Sequence, residues 1–275
     1  MKKFHAVFYI LFALTLIFTI PMCTGDSRQI KADESMIDKV IRKGSIKIGM
    51  STFVPWAMKD KNGELIGFEI DVAKRLAEDM GVKAEFVPTQ WSGIIPALIT
   101  GKFDIIVGGM GITPKRNLKV NFSIPYDHTG MSLVAHREIA TGFESLDDFN
   151  SPDVTVVARM GSTSAAAVKK YIPKAKLLQF DDESQAVQEL LNGNAHAFVS
   201  SAPLPAFQAL KYPEKLFLPL TENFTKEPIA FAVRKGDFDS CNYLNNWITV
   251  MTAEGWIQER KHYWFETDEW RDRIK

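Results

Sequence analysis

Arg116 is the side chain best suited to hold a ligand. It sits in the stretch FDIIVGGMGITPKRNLKVNFSIPY, residues 103–126. A guanidinium presents a planar fork of donors that matches a carboxylate. Just upstream is a glycine-rich loop containing Gly109, Met110 and Gly111. Glycines let backbone N–H and C=O groups approach a small ligand with no Cβ in the way. Thr113 can cap a turn that opens at Pro114. A second anion site is offered by Arg159-Met160-Gly161-Ser162-Thr163-Ser164, just before a predicted helix. There, hydroxyls, free N–H groups and the positive end of the dipole favour an anion. Both motifs also fit plainer roles: a strand, a turn and a solvated Arg in one case, a Ser/Thr N-cap in the other. Phe53, Trp56 and Trp91 follow predicted strand ends and fit either a cleft wall or a core. The five histidines show no metal-ligand spacing. No convincing acid/base pair or nucleophile–base arrangement is present either. The expectation is therefore no metal, no cofactor and no catalytic residue.

These residues must be positioned by alternating strands and helices. Ser35 to Gly44 has an N-cap, apolar residues at helical spacing and a terminal Gly. Ile46–Gly49 reads as a strand, and Asn62-Gly63 as a hairpin turn returning through Glu64–Phe68. Ile70, Ala73, Ala77 and Met80 mark one helix face, and Glu85–Pro88 a second strand. Ser92 is placed to cap a helix over 93–100, and Phe103–Val107 is a buried strand. The pattern pauses near 126–130. It resumes with a strand over 154–158, helices over 165–171 and 184–191, and a strand over 196–199. A second crossing is expected near 225–229, then a strand over 230–233 and one long helix over 239–256. Such alternation argues for an α/β fold with a largely parallel sheet, whose ligands bind at the carboxyl ends of strands.

Composition excludes other classes of partner. The chain has 46% apolar and 24% charged residues and a formal net charge of zero, so nothing points to nucleic acid or an anionic membrane surface. Lys2, Lys3 and the apolar run 6–20 form an export signal at 1–22, too short to span a bilayer. Cys23 and a polar tether over 23–34 follow. This resembles a bacterial lipoprotein signal with Cys23 lipidated, although Pro21 and Met22 stand where small residues are usual. Ordinary cleavage after Gly25 is the alternative. With two cysteines in the chain, Cys241 is then left unpaired and reads as a small buried apolar residue.

GGMGITPKR followed by NFSIPY resembles the signature of the periplasmic solute-binding proteins of polar-amino-acid ABC transporters, family 3. The resemblance continues through IKIGMSTFVPWAMKDKNGELIGFEIDVAKRLAEDMG, WSGIIPALITGKFDIIVGG and VTVVARMGSTSAAAVKKY. It implies a periplasmic-binding-protein fold of type II, with two mixed sheets flanked by helices and joined by two hinge strands. Lobe 1 would be residues 35–129 plus 229–275, and lobe 2 residues 130–228. In the family the glycine loop (Gly109, Met110, Gly111) and Arg116 hold the ligand's α-carboxylate, with Ser162 and Thr163 as a second grip. Phe53 and Trp91 match aromatics that sandwich the ligand side chain, with Trp56 close by. His196 stands where the family often has Asp and reads as a packed or surface residue.

The function implied is capture of an amino acid or related small carboxylate outside the cytoplasmic membrane. Hinge closure would follow, then delivery to ABC permease subunits by a monomeric protein. Cyclohexadienyl dehydratases share this fold and use an acidic residue just after the second-lobe strand. Here that segment reads Ser200-Ser201-Ala202-Pro203-Leu204, so a binding protein is expected, not an enzyme. A periplasmic ligand sensor is a further alternative. Amino-acid-binding relatives place an Asp where Ser201 falls, to accept the α-ammonium. With Arg159 as a second cation, the cleft would hold two arginines and no carboxylate. That favours a ligand more anionic than a neutral amino acid, unless Glu69 or Asp71 supplies the missing charge.

Overall fold

The computed structural model describes residues 34–274. The expected signal segment, Cys23 and all of the tether but Glu34 lie outside the described residues. Helix α1 (Met36–Lys43) starts at Ser35, whose hydroxyl accepts the Asp38 N–H, and ends at Gly44 with φ 72°. That left-handed stop suits glycine. Next come β1 (Ser45–Met50), the hairpin β2 (Met58–Lys59) and β3 (Leu65–Ile66), α2 (Phe68–Asp79) and β4 (Lys83–Pro88). The first run ends with α3 (Ile94–Ile99), β5 (Ile105–Ile106), α4 (Pro114–Asn117) and β6 (Asn121–Phe122).

Strand β7 (Asp127–Thr129) crosses to the second run. This comprises β8 (Met131–His136), β9 (Thr155–Arg159), α5 (Thr163–Tyr171), β10 (Lys176–Phe180), α6 (Glu183–Leu191), β11 (Ala197–Ser201), α7 (Leu204–Lys211) and β12 (Leu216–Phe217). Strand β13 (Glu227–Ile229) returns, followed by β14 (Ala232–Val233), α8 (Phe238–Ala253) and α9 (Trp256–Glu266).

Two five-stranded sheets result, ordered β4-β1-β5-β14-β6 and β10-β9-β11-β8-β12. Each is mixed rather than largely parallel. In the first, β14 runs antiparallel to β5 and β6, because it enters from the second crossing. In the second, β8 is antiparallel to β11 and β12. Alternate residues of the second sheet face opposite cores, as the strand period of two demands. Leu133, Val156 and Val199 join Phe149 on one side. Val134, Val157 and Phe198 join the apolar cluster that contains Ile46, Phe68 and Trp264.

One helix is added to the expectations and one expectation is corrected. The helix expected over 239–256 is α8, and beyond Gly255, at φ 76°, the chain turns into a further helix, α9. Ser92 does not cap α3; residues Trp91–Gly93 form a 3-10 turn, and the Ser92 hydroxyl is used elsewhere. Cys241 is a free, half-buried thiol packed against the first core.

The two crossings pair with each other. Glu227 lies opposite Thr129, Pro228 opposite His128 and Ile229 opposite Asp127. Gly130 follows directly, and a Cβ there would fall on the Thr225 carbonyl oxygen, 2.7 Å from Asn223 Cβ. Neither atom is the free end of a flexible side chain, so Gly130→Ala must push the crossings apart. The expected cost is roughly 1–3 kcal/mol, read as a lower urea midpoint. An unchanged midpoint would show that the crossing yields without penalty.

Candidate ligand-binding cleft

The glycine loop is anchored from below by a buried acid. Glu69 Oε1 accepts the Gly109 N–H at 2.8 Å, and the Tyr126 hydroxyl donates to both Glu69 oxygens at 2.8 Å. Burial pushes the Glu69 carboxyl up to about 8, against the pull of the Tyr126 and Gly109 donors. Gly109 has φ 64°, and a Cβ there would meet Phe53 Cζ at 2.8 Å, so the loop tolerates no side chain at this point. Its N–H serves the loop's own support. The Met110 side chain is fully buried beside Trp91, Leu98 and Phe103. Its carbonyl accepts the Ala230 N–H at 3.1 Å, tying the loop to the chain just after β13.

Arg116 lies at the centre of the cleft. The Thr113 hydroxyl accepts the Arg116 N–H and starts α4, as expected. Arg116 Nη1 donates to Gly111 O at 2.8 Å, and Nη2 to Gly161 O of the second sheet's side at 3.3 Å. Burial lowers the guanidinium to about 10; Glu227 opposes this and Arg159 adds to it. It stays protonated at neutral pH. Glu227 reaches in from β13. Its Oε1 accepts from Thr225 Oγ1 at 3.2 Å, and its Oε2 is buried with no hydrogen-bond partner. The position a Gly111 Cβ would take is 3.1 Å from Glu227 Oε2, 3.6 Å from Thr163 Cγ2 and 3.7 Å from Arg116 Nη1. Thus three chain segments converge on Gly111. Ser162 is a helix cap: its hydroxyl accepts the Ala165 N–H at 3.1 Å and donates to Arg159 O at 2.6 Å. Thr163 opens α5.

Arg159, at the end of β9, is also buried. Its guanidinium carbon lies 4.4 Å from the Trp91 ring centre and 4.9 Å from that of Phe53. Nη1 donates to Ser51 Oγ at a long 3.4 Å, and Nε lies 3.5 Å from Glu183 Oε1. That oxygen also accepts from Ser200 Oγ at 2.9 Å. Burial lowers the Arg159 guanidinium and raises the Glu183 carboxyl, while each one's charge opposes the shift of the other. Beyond this pair, a cavity of about 630 Å³ is lined by Phe53, Glu183, Val187, Leu204, Lys211 and Tyr212. Ser92 Oγ donates to Asp181 Oδ1 at 2.9 Å, a further contact between the two halves.

The structure therefore brings together Phe53, Trp91, Gly111, Arg116, Arg159 and Thr163. Trp56 is placed elsewhere: fully buried, it stacks behind Phe53 at 5.5 Å and touches Phe68 and Phe265. Ser201 sits half-buried at the end of β11, paired with Met131. His196 Nδ1 accepts the Thr155 N–H, a packing role. The reading of two arginines with no carboxylate is overturned, because Glu183 and Glu227 accompany them. Glu69 and Asp71 are not the missing charge. Glu69 is committed to Gly109 and Tyr126, and Asp71 accepts from Trp264 Nε1 at 2.7 Å. Glu183 resembles an ordinary first-turn helix acid in the sequence, and Glu227 an ordinary loop acid. Among the described residues, no three His, Cys, Asp or Glu side chains are grouped to hold a metal.

The model of the bacterial extracellular solute-binding proteins, family 3, matches residues 46–267. The chain is 25% identical over 241 residues to a cyclohexadienyl dehydratase of Pseudomonas aeruginosa, covering 87% of this chain and 90% of that one. A solved ancestral amino acid-binding protein, described as a precursor of cyclohexadienyl dehydratase, is 42% identical with a TM-score of 0.78, covering 84% of this chain and all 100% of that one. A putative binding component of an ABC transporter from Wolinella succinogenes, solved with lysine, is 40% identical with a TM-score of 0.78, covering 84% of this chain and 99% of that one.

The buried Glu69 has a consequence for stability. Between its ordinary value of 4.5 and about 8, the folded protein keeps a proton that the unfolded chain releases. Its contribution to stability therefore falls as pH rises through that window, by up to about 1.4 kcal/mol per unit. Glu69→Gln keeps an acceptor for Gly109 and removes the titration. Chemical denaturation from about pH 5 to about pH 8 should show wild type losing stability relative to the variant. A difference constant with pH would show that Glu69 ionises freely.

Proposed function

As the chain belongs to the bacterial extracellular solute-binding proteins, family 3, we propose that its cleft captures a free α-amino acid and presents it to the permease subunits of an ABC transporter. The convergence on Gly111 carries this reading. Arg116 supplies a fork for the carboxylate, and the first-turn N–H groups of α5 at Thr163 assist it. Glu227 Oε2, buried and unpartnered, supplies the acceptor for the α-ammonium in place of an Asp at Ser201. A zwitterion satisfies both charges, whereas an unpaired carboxylate oxygen out of water is costly. Amino-acid binding by relatives of this chain agrees with that choice.

Capture works by hinge closure at β7 and β13, between lobe 1 (35–129 plus 229–275) and lobe 2 (130–228). The ligand shifts the balance only by the contacts it makes in the closed state and lacks in the open one. Among the described residues no helix is long and apolar enough to cross a membrane. Export through the segment 1–22 and a lipid anchor at Cys23 complete the proposal, with the protein working as a monomer. We read the chain as a binder rather than an enzyme, since Ala202, Pro203 and Leu204 after β11 bring no carboxyl into the cleft. Incubation with arogenate or prephenate should yield no product; turnover would overturn that reading.

A thermal-shift panel of amino acids identifies the ligand through its stabilisation of the native state. Calorimetry then tests the grip. Arg116→Ala should weaken binding by about 2 kcal/mol or more, through loss of a charge-assisted pair. Glu227→Gln should weaken binding of the amino acid about tenfold or more and leave its α-hydroxy analogue unaffected. Unchanged affinity in a folded Arg116→Ala protein would contradict the carboxylate assignment.

A further inference from the structure

We propose that Arg159 and Glu183 together read the ligand's side chain and that the pair is matched to a neutral carboxamide, as in glutamine or asparagine. This rests on the amino-acid reading above and deepens it. Both side chains are almost wholly buried, at 6% and 5% exposure, and both are under-bonded. The Phe53 and Trp91 rings both lie against the guanidinium, and such contacts leave its edge for hydrogen bonds. Along that edge, Nε has no hydrogen-bond partner and Nη1 has one long bond, to Ser51. Across from it, Glu183 Oε1 serves Ser200 while Oε2 is buried with no partner. An arginine carries five N–H donors and no acceptor; a carboxylate carries acceptors only. Side by side, the two leave open both a donor and an acceptor position.

A primary carboxamide presents the matching set: an oxygen for Arg159 and an NH₂ for Glu183. A carboxylate side chain would satisfy Arg159 but face Glu183. A lysine or arginine side chain would satisfy Glu183 but face Arg159. In a closed cleft such like-charge contacts are poorly screened. The pair also lies where a side chain would have to go. Arg116 is 5.7 Å and Arg159 4.4 Å from the same Trp91 ring centre. Phe53 and Glu183 also line the cavity of about 630 Å³.

The test is calorimetry with glutamine, asparagine, glutamate, aspartate, lysine and arginine against wild type, Arg159→Met and Glu183→Gln. Wild type should favour a carboxamide over the charged ligands by tenfold or more. Arg159→Met should shift the ranking toward lysine and arginine, and Glu183→Gln toward glutamate and aspartate. Glu183→Gln preserves the bond to Ser200 and guards against a folding defect in the other variant; melting temperatures confirm both folds. A wild type that prefers a charged side chain, or two folded variants that keep the wild-type ranking, would overturn the proposal. Arg116→Ala separates the two failures. If an amino acid binds in an Arg116-dependent way but the ranking is wrong, only this inference falls. If no amino acid binds wild type, the amino-acid reading falls with it.

Discussion

A half-buried cation organises this molecule. The Arg116 guanidinium is gripped by two backbone carbonyls, Gly111 O from one side of the cleft and Gly161 O from the other. Each neighbouring feature serves that placement. Gly111 has no Cβ to displace Glu227, Thr163 or Arg116 itself. The Thr113 cap fixes where α4 begins and hence where Arg116 points. Glu69, at the cost of holding a proton at neutral pH, clamps the loop from below through Gly109 and Tyr126. The half-buried guanidinium is hydrogen-bonded to neutral carbonyls, and the charge of Glu227 compensates it only in part. In the function proposed, its remaining donors favour an anion between the lobes.

The same cleft carries polar contacts between the two halves. Arg116 to Gly161, Ser92 to Asp181 and Arg159 to Ser51 join residues that belong to different halves. These polar contacts are few, long or solvent-facing, so each contributes little, and the packing of Val134, Val157 and Phe198 with the first core and of Phe207 against Trp270 adds to them. The crossings at β7 and β13 are three residues each and pair with one another, and β13 is also tied to the glycine loop through a bridge from Ile229 to Gly111 and the Ile112 N–H donating to Pro228 O at 2.9 Å. In the hinge mechanism proposed, a ligand that fills the space around Gly111 would add contacts to both halves at once, and only those contacts would drive closure.

Much of this is legible in the residues, and the pattern of what is not has a physical basis. Local signals held. Ser35 and Gly44 bound α1 as capping chemistry requires, and Thr113 caps α4. The crossings fall where the alternation of strands and helices pauses. Tertiary relations were harder. Glu183 and Glu227 lie far along the chain from the groups they accompany, and nothing in a first-turn helix acid or a loop acid announces a buried partner. Trp56 and Phe53 are three residues apart, yet one is core and the other faces the cleft, a distinction made by Phe68 and Phe265 packing from distant elements. Gly255, in the left-handed conformation, ends α8 and opens α9, a helix that the charged and aromatic residues after 256 do not announce. Ser162 caps α5 as a Ser before a helix should, with its hydroxyl also in contact with Arg159 O and Ser164 Oγ.

The central claim is that two halves close on one small ligand held at Arg116. Small-angle X-ray scattering on the exported chain, with and without a saturating amino acid identified by thermal shift, tests it most directly. The account predicts a smaller radius of gyration for the bound wild type and no change on the same addition to Arg116→Ala. An identical radius in the two states, with binding confirmed by calorimetry on the same sample, would contradict it.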